Sequence, residues 1–191
     1  MGRGYTIFDT ALGRCGIAWS DAGIVGVQLP EAREIETLRR LFRLFPDASE
    51  LRPPPNVETA IDGIVTMLRG QDADLTEAVL DMSDVPAFNQ RVYDHLRMIP
   101  RGETRSHKQI ATHFDVAGAL HALTDALAKN PFPLIVPCHR VLDAGKDLDK
   151  VSPNNGVISK RRLLLLEGAR LAAGLTLFDV LLSADRPRAA H

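Results

Sequence analysis

Cys138 stands in the run Asn130-Pro131-Phe132-Pro133-Leu134-Ile135-Val136-Pro137-Cys138-His139-Arg140-Val141, with an imidazole and a guanidinium immediately after the thiol. Such neighbours can hold a thiol largely as thiolate, the form that attacks electrophiles. The residue types alone also allow an inert buried cysteine, because free cysteine is among the most buried side chains. The apolar run Leu134–Val136 predicts a buried strand, which Pro137 ends by removing a ladder donor. Cys15 lies in another predicted strand, without such neighbours, and reads as structural. Two cysteines and no Cys-x-x-Cys exclude a disulfide framework and argue against structural zinc. His95, His107, His113 and His121 match no zinc spacing and have no acidic partner placed with them, so they read as surface or groove histidines and no metal site is expected.

These groups need elements to hold them, and 191 residues with 45% hydrophobic side chains can bury one sizeable core or two small ones. Tyr5–Asp9 and Gly16–Leu29 alternate around a Ser20-Asp21-Ala22-Gly23 turn, which predicts a β-hairpin. Ile35, Leu38, Leu41, Phe42 and Phe45 fall at helical spacing between Glu34 and Phe45. The segment 47–56, with Pro53-Pro54-Pro55, breaks that pattern before a second helix over Val57–Leu68. From Pro86 onward the texture is helical: Ala87–Ile99, Ser106–Phe114 and Gly118–Asn130. The last two are separated only by Asp115-Val116-Ala117, the layout of a helix-turn-helix, which any αα-hairpin shares.

The net charge of -1 conceals an asymmetry: residues 1–87 carry 8 Lys/Arg against 14 Asp/Glu, and residues 88–170 carry 13 against 8. A basic second half is compatible with phosphate binding. No run of about 18 apolar residues occurs and the N-terminus lacks a basic-then-apolar layout, so no membrane span or secretory leader is expected and the chain is expected in the cytoplasm.

The run Asn130–Val141 resembles the active-site signature of the O6-alkylguanine-DNA alkyltransferases, also called methylated-DNA-protein-cysteine methyltransferases. Phe88–Ala111 before it, Lys160 and Leu163–Gly168 after it, and the N-terminal Thr10–Leu29 resemble further parts of that pattern, so the likeness spans about residues 4 to 169. It implies an α+β fold: a ribonuclease H-like α/β domain over 1–84, then a mainly helical domain over 85–170 with the helix-turn-helix and the reactive cysteine. Residues 171–191 form an extension beyond the likeness; its apolar residues from Leu171 to Leu181 are expected to pack as a strand or helix, and 185–191 to be disordered.

The resemblance also implies roles. Cys138 takes an alkyl group from O6 of a guanine flipped out of double-stranded DNA and is consumed, since a thioether is not hydrolysed. His139 removes the thiol proton through a water, Glu167 orients His139, and Asn130 braces the turn before the cysteine. Arg140 fixes the local loop and is counted with the DNA contacts Thr104, Ser106, His107, Ala119, His121, Ala122, Thr124 and Asp125. Val141, Ser152, Pro153 and Asn154 line the base pocket. No cofactor is implied, and a monomer is expected.

Departures from the family pattern bear on the DNA. His107 stands where the family has a tyrosine that helps rotate the nucleotide, and His121 where it has an arginine that replaces the flipped base in the stack. Thr124 and Asp125 stand for glycines, and Pro153 for a tyrosine that donates to the base. A carboxylate near phosphate is repelled, and an imidazole cannot replace a five-donor guanidinium. Weak duplex binding is therefore expected, strengthening as falling pH charges His107 and His121. Two readings stay open: a repair alkyltransferase with altered DNA contacts, or a divergent member that uses Cys138 on a non-DNA alkyl donor or serves as an alkylation sensor or binding module.

Overall fold

Alternating apolar side chains close three strands, β1 (Arg3–Thr10), β2 (Gly13–Ser20) and β3 (Gly23–Gln28), into an antiparallel meander. The computed structural model describes residues 2–114, 118–142 and 156–169. A short strand β4 (Ala48–Glu50) adds parallel to β1, giving the order β3-β2-β1-β4. One face of the sheet carries Tyr5, Ala18 and Val25 against Leu41 of helix α1 (Glu34–Leu44) and Phe45 just after it. The other carries Cys15, Ile17, Trp19 and Ile24 against Val57, Ala60, Ile64, Met67 and Leu68 of α2 (Pro55–Leu68). Helix α2 begins two residues before the sequence reading places it, because Pro55 takes a first-turn position where its missing N–H costs nothing.

The same core runs on without a break into the second half of the chain. Val92, Tyr93 and Leu96 of α3 (Ala87–Arg97), Leu123 and Leu127 of α5 (Ala119–Ala128), Phe132, and Leu163 of α6 (Lys160–Leu166) all belong to it. The result is an α+β architecture, with a mixed α/β part followed by a mostly helical part that contains a helix-turn-helix. Among the described residues no helix is long and apolar enough to cross a membrane.

The helix-turn-helix is built from α4 (His107–Ala111) and α5. Helix α4 is shorter than the predicted 106–114: Ser106 is its N-cap, in a reciprocal capping box with Gln109, and Thr112 turns its hydroxyl back onto the Gln109 carbonyl at 2.7 Å. The predicted turn residues 115–117 lie outside the described residues. Gly118 precedes α5 at φ 74, a left-handed conformation that suits glycine.

One expectation fails in an instructive way. Leu134–Val136 is a tight buried turn, not a strand: the Val136 amide bonds to the Phe132 carbonyl at 2.8 Å, and Leu134 takes φ 74. Asn130 stabilises this turn from within, donating from Nδ2 to the Val136 carbonyl at 3.0 Å and accepting the Phe132 N–H at 2.9 Å. Periodicity cannot separate such a turn from a buried strand, since both read as short apolar runs.

Candidate active site

The turn braced by Asn130 delivers the chain to Pro137, and a single 3-10 turn over Cys138–Arg140 follows, leading into the two-residue strand β6 (Val141–Leu142). β6 pairs in parallel with β5 (Arg105–Ser106), so the residue after the active-site turn is tied to the start of the helix-turn-helix. Cys138 is 2% exposed and its amide bonds to the Val136 carbonyl at 2.8 Å. Burial pushes its thiol up, and the opposing pull of Asn130 and Lys160 does not offset that. The resting sulfur is therefore a thiol. Of the states the residue types allow, a standing thiolate is not the one formed, because the adjacent imidazole and guanidinium both face a carboxylate instead.

That carboxylate is Glu167, at the C-terminal end of α6. His139 Nε2 lies 2.7 Å from Glu167 Oε1, Arg140 reaches the same carboxylate through Nη2 at 2.8 Å and Nε at 3.0 Å, and the Gly102 N–H donates to Oε2 at 3.2 Å. Burial pushes the Glu167 carboxyl up, but the hydrogen bonds and charges of His139 and Arg140 outweigh it and hold it at about 2. Burial drives His139 down, so its ring is neutral. With an ionised carboxylate against Nε2, the ring proton sits there and donates, leaving the Nδ1 lone pair as the basic atom. Nδ1 is buried and has no hydrogen-bond partner among the described residues. The arrangement is a thiol beside a neutral imidazole whose tautomer is fixed by a buried, doubly held carboxylate. It can take a proton from sulfur at the moment of attack and spread the resulting charge over Glu167.

The structure thus brings Asn130, Cys138, His139 and Glu167 together. Arg140, counted among the DNA contacts, is turned inward: besides Glu167 it donates from Nη1 to the Ile99 carbonyl at 2.5 Å, so its guanidinium helps fix the site, as expected for the local loop. Val141 is buried beside the turn, whereas Ser152, Pro153 and Asn154 lie outside the described residues. Ser106 spends its hydroxyl on capping α4, and Thr104 is half-buried. His107, expected at the surface or in a groove, is only 6% exposed. On α5, Ala119 and Ala122 are half-buried while His121, Thr124 and Asp125 are exposed. Asp125 accepts from Lys129 Nζ at 2.8 Å, so its charge is countered on its own helix and not left to repel phosphate.

Two residues with no role assigned from the sequence act here. Lys160 donates to the Val141 carbonyl at 2.9 Å and acts electrostatically on both Cys138 and His139; it falls inside the recognisable segment but has no signal of its own. Tyr93, fully buried, bonds through its hydroxyl to the Ala126 carbonyl at 2.9 Å, linking α3 to α5 beneath the site. Cys15 is fully buried, and burial pushes its thiol up to about 12, which leaves it inert.

Residues 87–169 match the family described as 6-O-methylguanine DNA methyltransferase, DNA binding domain. Over 149 residues the chain is 40% identical to the methylated-DNA–protein-cysteine methyltransferase of Mycobacterium tuberculosis, covering 76% of this chain and 87% of that one. The chain belongs to the methylated-DNA–protein-cysteine methyltransferase family. A methyltransferase of that name from Methanothermobacter thermautotrophicus is 31% identical over 156 residues, 82% of this chain and 80% of the relative. The fold agrees as well: the solved structure of Mycobacterium tuberculosis OGT in complex with DNA superposes with a TM-score of 0.64 at 31% identity, over 92% of this chain and 99% of that one. In this chain the sequence signature from Asn130 to Val141 is the braced turn and 3-10 turn described above.

Proposed function

We propose that this chain is a DNA repair alkyltransferase that moves an alkyl group from O6 of guanine in DNA irreversibly to Cys138. The observation that carries the reading is the buried Cys138 placed next to a neutral His139 held by Glu167 and Arg140. Cys138 Sγ attacks the alkyl carbon, the carbon–O6 bond breaks, and its electron pair leaves with the base. The thiol proton passes to His139 Nδ1 through a water and a proton is returned to the departing guanine, so the net change is a thioether and an unmodified base. Because the thiol is protonated at rest, it is protected until a base arrives; ionising it only then keeps a buried thiolate from standing unpaired. The base must leave the duplex stack to reach a buried sulfur, at a cost of roughly a few kcal/mol. No group in this sequence of steps regenerates the thiol, so each molecule turns over once.

A monomer acting in the cytoplasm completes this reading, to be checked by light scattering and cell fractionation. The reaction itself is tested by incubating the protein with duplex containing O6-methylguanine and measuring its intact mass, with peptide mapping. One methyl group on Cys138, absent from a Cys138→Ala variant, is the expected result. Methylation mapped to Cys15, or no mass change at high protein concentration, overturns it; transfer from a small alkyl donor but not from duplex favours a non-DNA substrate.

A further inference from the structure

We propose that Leu120, and not His121, is the side chain that wedges into the base stack when α5 approaches duplex DNA, an inference that rests on the alkyltransferase reading above. The buried side of α5 is supplied by Leu123, Ala126 and Leu127, which join the core. Leu120 is not needed there: it is 51% exposed, in the first turn of the helix. The other large exposed apolar side chains among the described residues, such as Ile35, Phe42, Leu51 and Met98, lie outside the helix-turn-helix, so Leu120 alone is an unpaid apolar surface on the element that meets DNA.

The exposed face of α5 divides into two rows at helical spacing. Leu120, Thr124 and Ala128 make a row without charge, and the Thr124 hydroxyl is folded back onto the Leu120 carbonyl at 2.9 Å, which leaves its methyl as the outward group. His121, Asp125 and Lys129 make the second row, polar and bearing the Asp125–Lys129 ion pair. Small and apolar groups can approach bases closely, and leucine is among the side chains that insert between base steps in the minor groove. The second row keeps its two charges paired with each other and offers no apolar surface to insert between base steps, so it seats at the polar rim. The neutral row therefore faces the stack with Leu120 at its leading end.

The test uses unmodified duplex carrying 2-aminopurine, so its outcome does not depend on transfer to Cys138, which the mass measurement above reads separately. At saturating protein the fluorescence should rise as the base unstacks. Leu120→Ala should lose most of that rise and roughly 10-fold in duplex affinity, by analogy with the loss of a buried leucine side chain; Leu120→Met, which keeps an apolar wedge, should restore both, and His121→Ala should give the smaller loss. Circular dichroism and thermal midpoints confirm folding, which an exposed position should not disturb. A full fluorescence rise in Leu120→Ala, its loss in His121→Ala, or no rise at all with the unaltered protein bound would each overturn the inference.

Discussion

A carboxylate with no exposed side-chain surface is costly unless every lone pair is met, and Glu167 is met by His139, by two N–H groups of Arg140 and by the Gly102 amide. Its charge then decides which nitrogen of His139 is basic, which makes Glu167 a positioning residue for the proton step and not a group that touches the alkyl donor. Glu167→Gln keeps the shape but loses the charge that stabilises an imidazolium, and His139→Ala removes the base itself. Each should slow alkylation of Cys138 by roughly 10²-fold or more, the usual contribution of a placed general base. The deficit should shrink as pH rises toward the range where the thiol ionises unaided, a response that a merely structural defect would not show. Equal rates for either variant and the parent near neutral pH would remove His139 and Glu167 from the mechanism. Arg140 belongs to the same argument: its two-pronged contact to one carboxylate is a geometry that lysine cannot reproduce.

At the level of elements, the site depends on how loops are anchored. Val157 donates to the Pro30 carbonyl at 3.0 Å, joining the approach to α6 to the end of the N-terminal meander. Gly156 fits there at φ 57 because a Cβ would lie 2.0 Å from the Pro30 oxygen. Gly118 also has positive φ but meets nothing within 4 Å. Gly118→Ala should therefore cost only the left-handed backbone penalty, about 1–2 kcal/mol, whereas Gly156→Ala must in addition separate Pro30 from Val157 and should cost clearly more in urea denaturation. Equal losses for the two would show that the Pro30 contact does not restrain this segment. Elements of this kind were legible in the sequence where a period spans several residues: the hairpin around Ser20–Gly23, α1, α2, α3 and α5 all follow from apolar spacing, whereas the pairing of β1 with β2 that completes the meander was not read. β4 was not, since Ala48–Glu50 has no strand-forming side chains and exists through its parallel pairing with β1. The turn over Leu134–Val136 was hidden for a related reason, because the Asn130 side chain that builds it takes the place of the strand ladder that a short apolar run predicts. His139 and Glu167 were joined by resemblance; no local pattern links residues that far apart. Nothing in the sequence around His107 marks it as buried, and the inward turn of Arg140 depends on Ile99 and Glu167, which only the fold brings to it.

Across the whole molecule, the acidic first part and the basic second part are fastened to each other. Arg101 donates to the Gly70 and Leu166 carbonyls at 2.9 Å each and pairs with Asp72, and Arg97 donates to the Ala78 carbonyl at 2.9 Å. Several cations of the helical half are thus spent on internal contacts, which leaves less positive charge for DNA than the sequence count suggests. The buried titrating groups also give the fold a pH range of its own. Glu167 is held at about 2, below an unfolded value of about 4.3, so its contribution is complete above about 4.3 and lost as pH falls toward 2. His139 is likewise depressed, so protonation of the unfolded chain below about 6.5 draws the equilibrium away from the fold. On the alkaline side the signs reverse: Cys15 stays protonated up to about 12 in the fold while the unfolded thiol ionises near 8.5, so stability falls as pH rises through that interval, and the raised Cys138 acts in the same direction. Urea midpoints should be highest between about pH 6.5 and 8.5. Glu167→Gln should lower the midpoint at pH 7 and flatten the fall between pH 4.5 and 2, because the depressed carboxyl is worth about 3 kcal/mol at neutral pH by linkage. Cys15→Ala should flatten the alkaline fall without altering the acid one. An acid limb of the same steepness in Glu167→Gln and the parent would mean that the buried carboxylate is not what acid titrates, and that the catalytic relay does not set the acid stability of the fold.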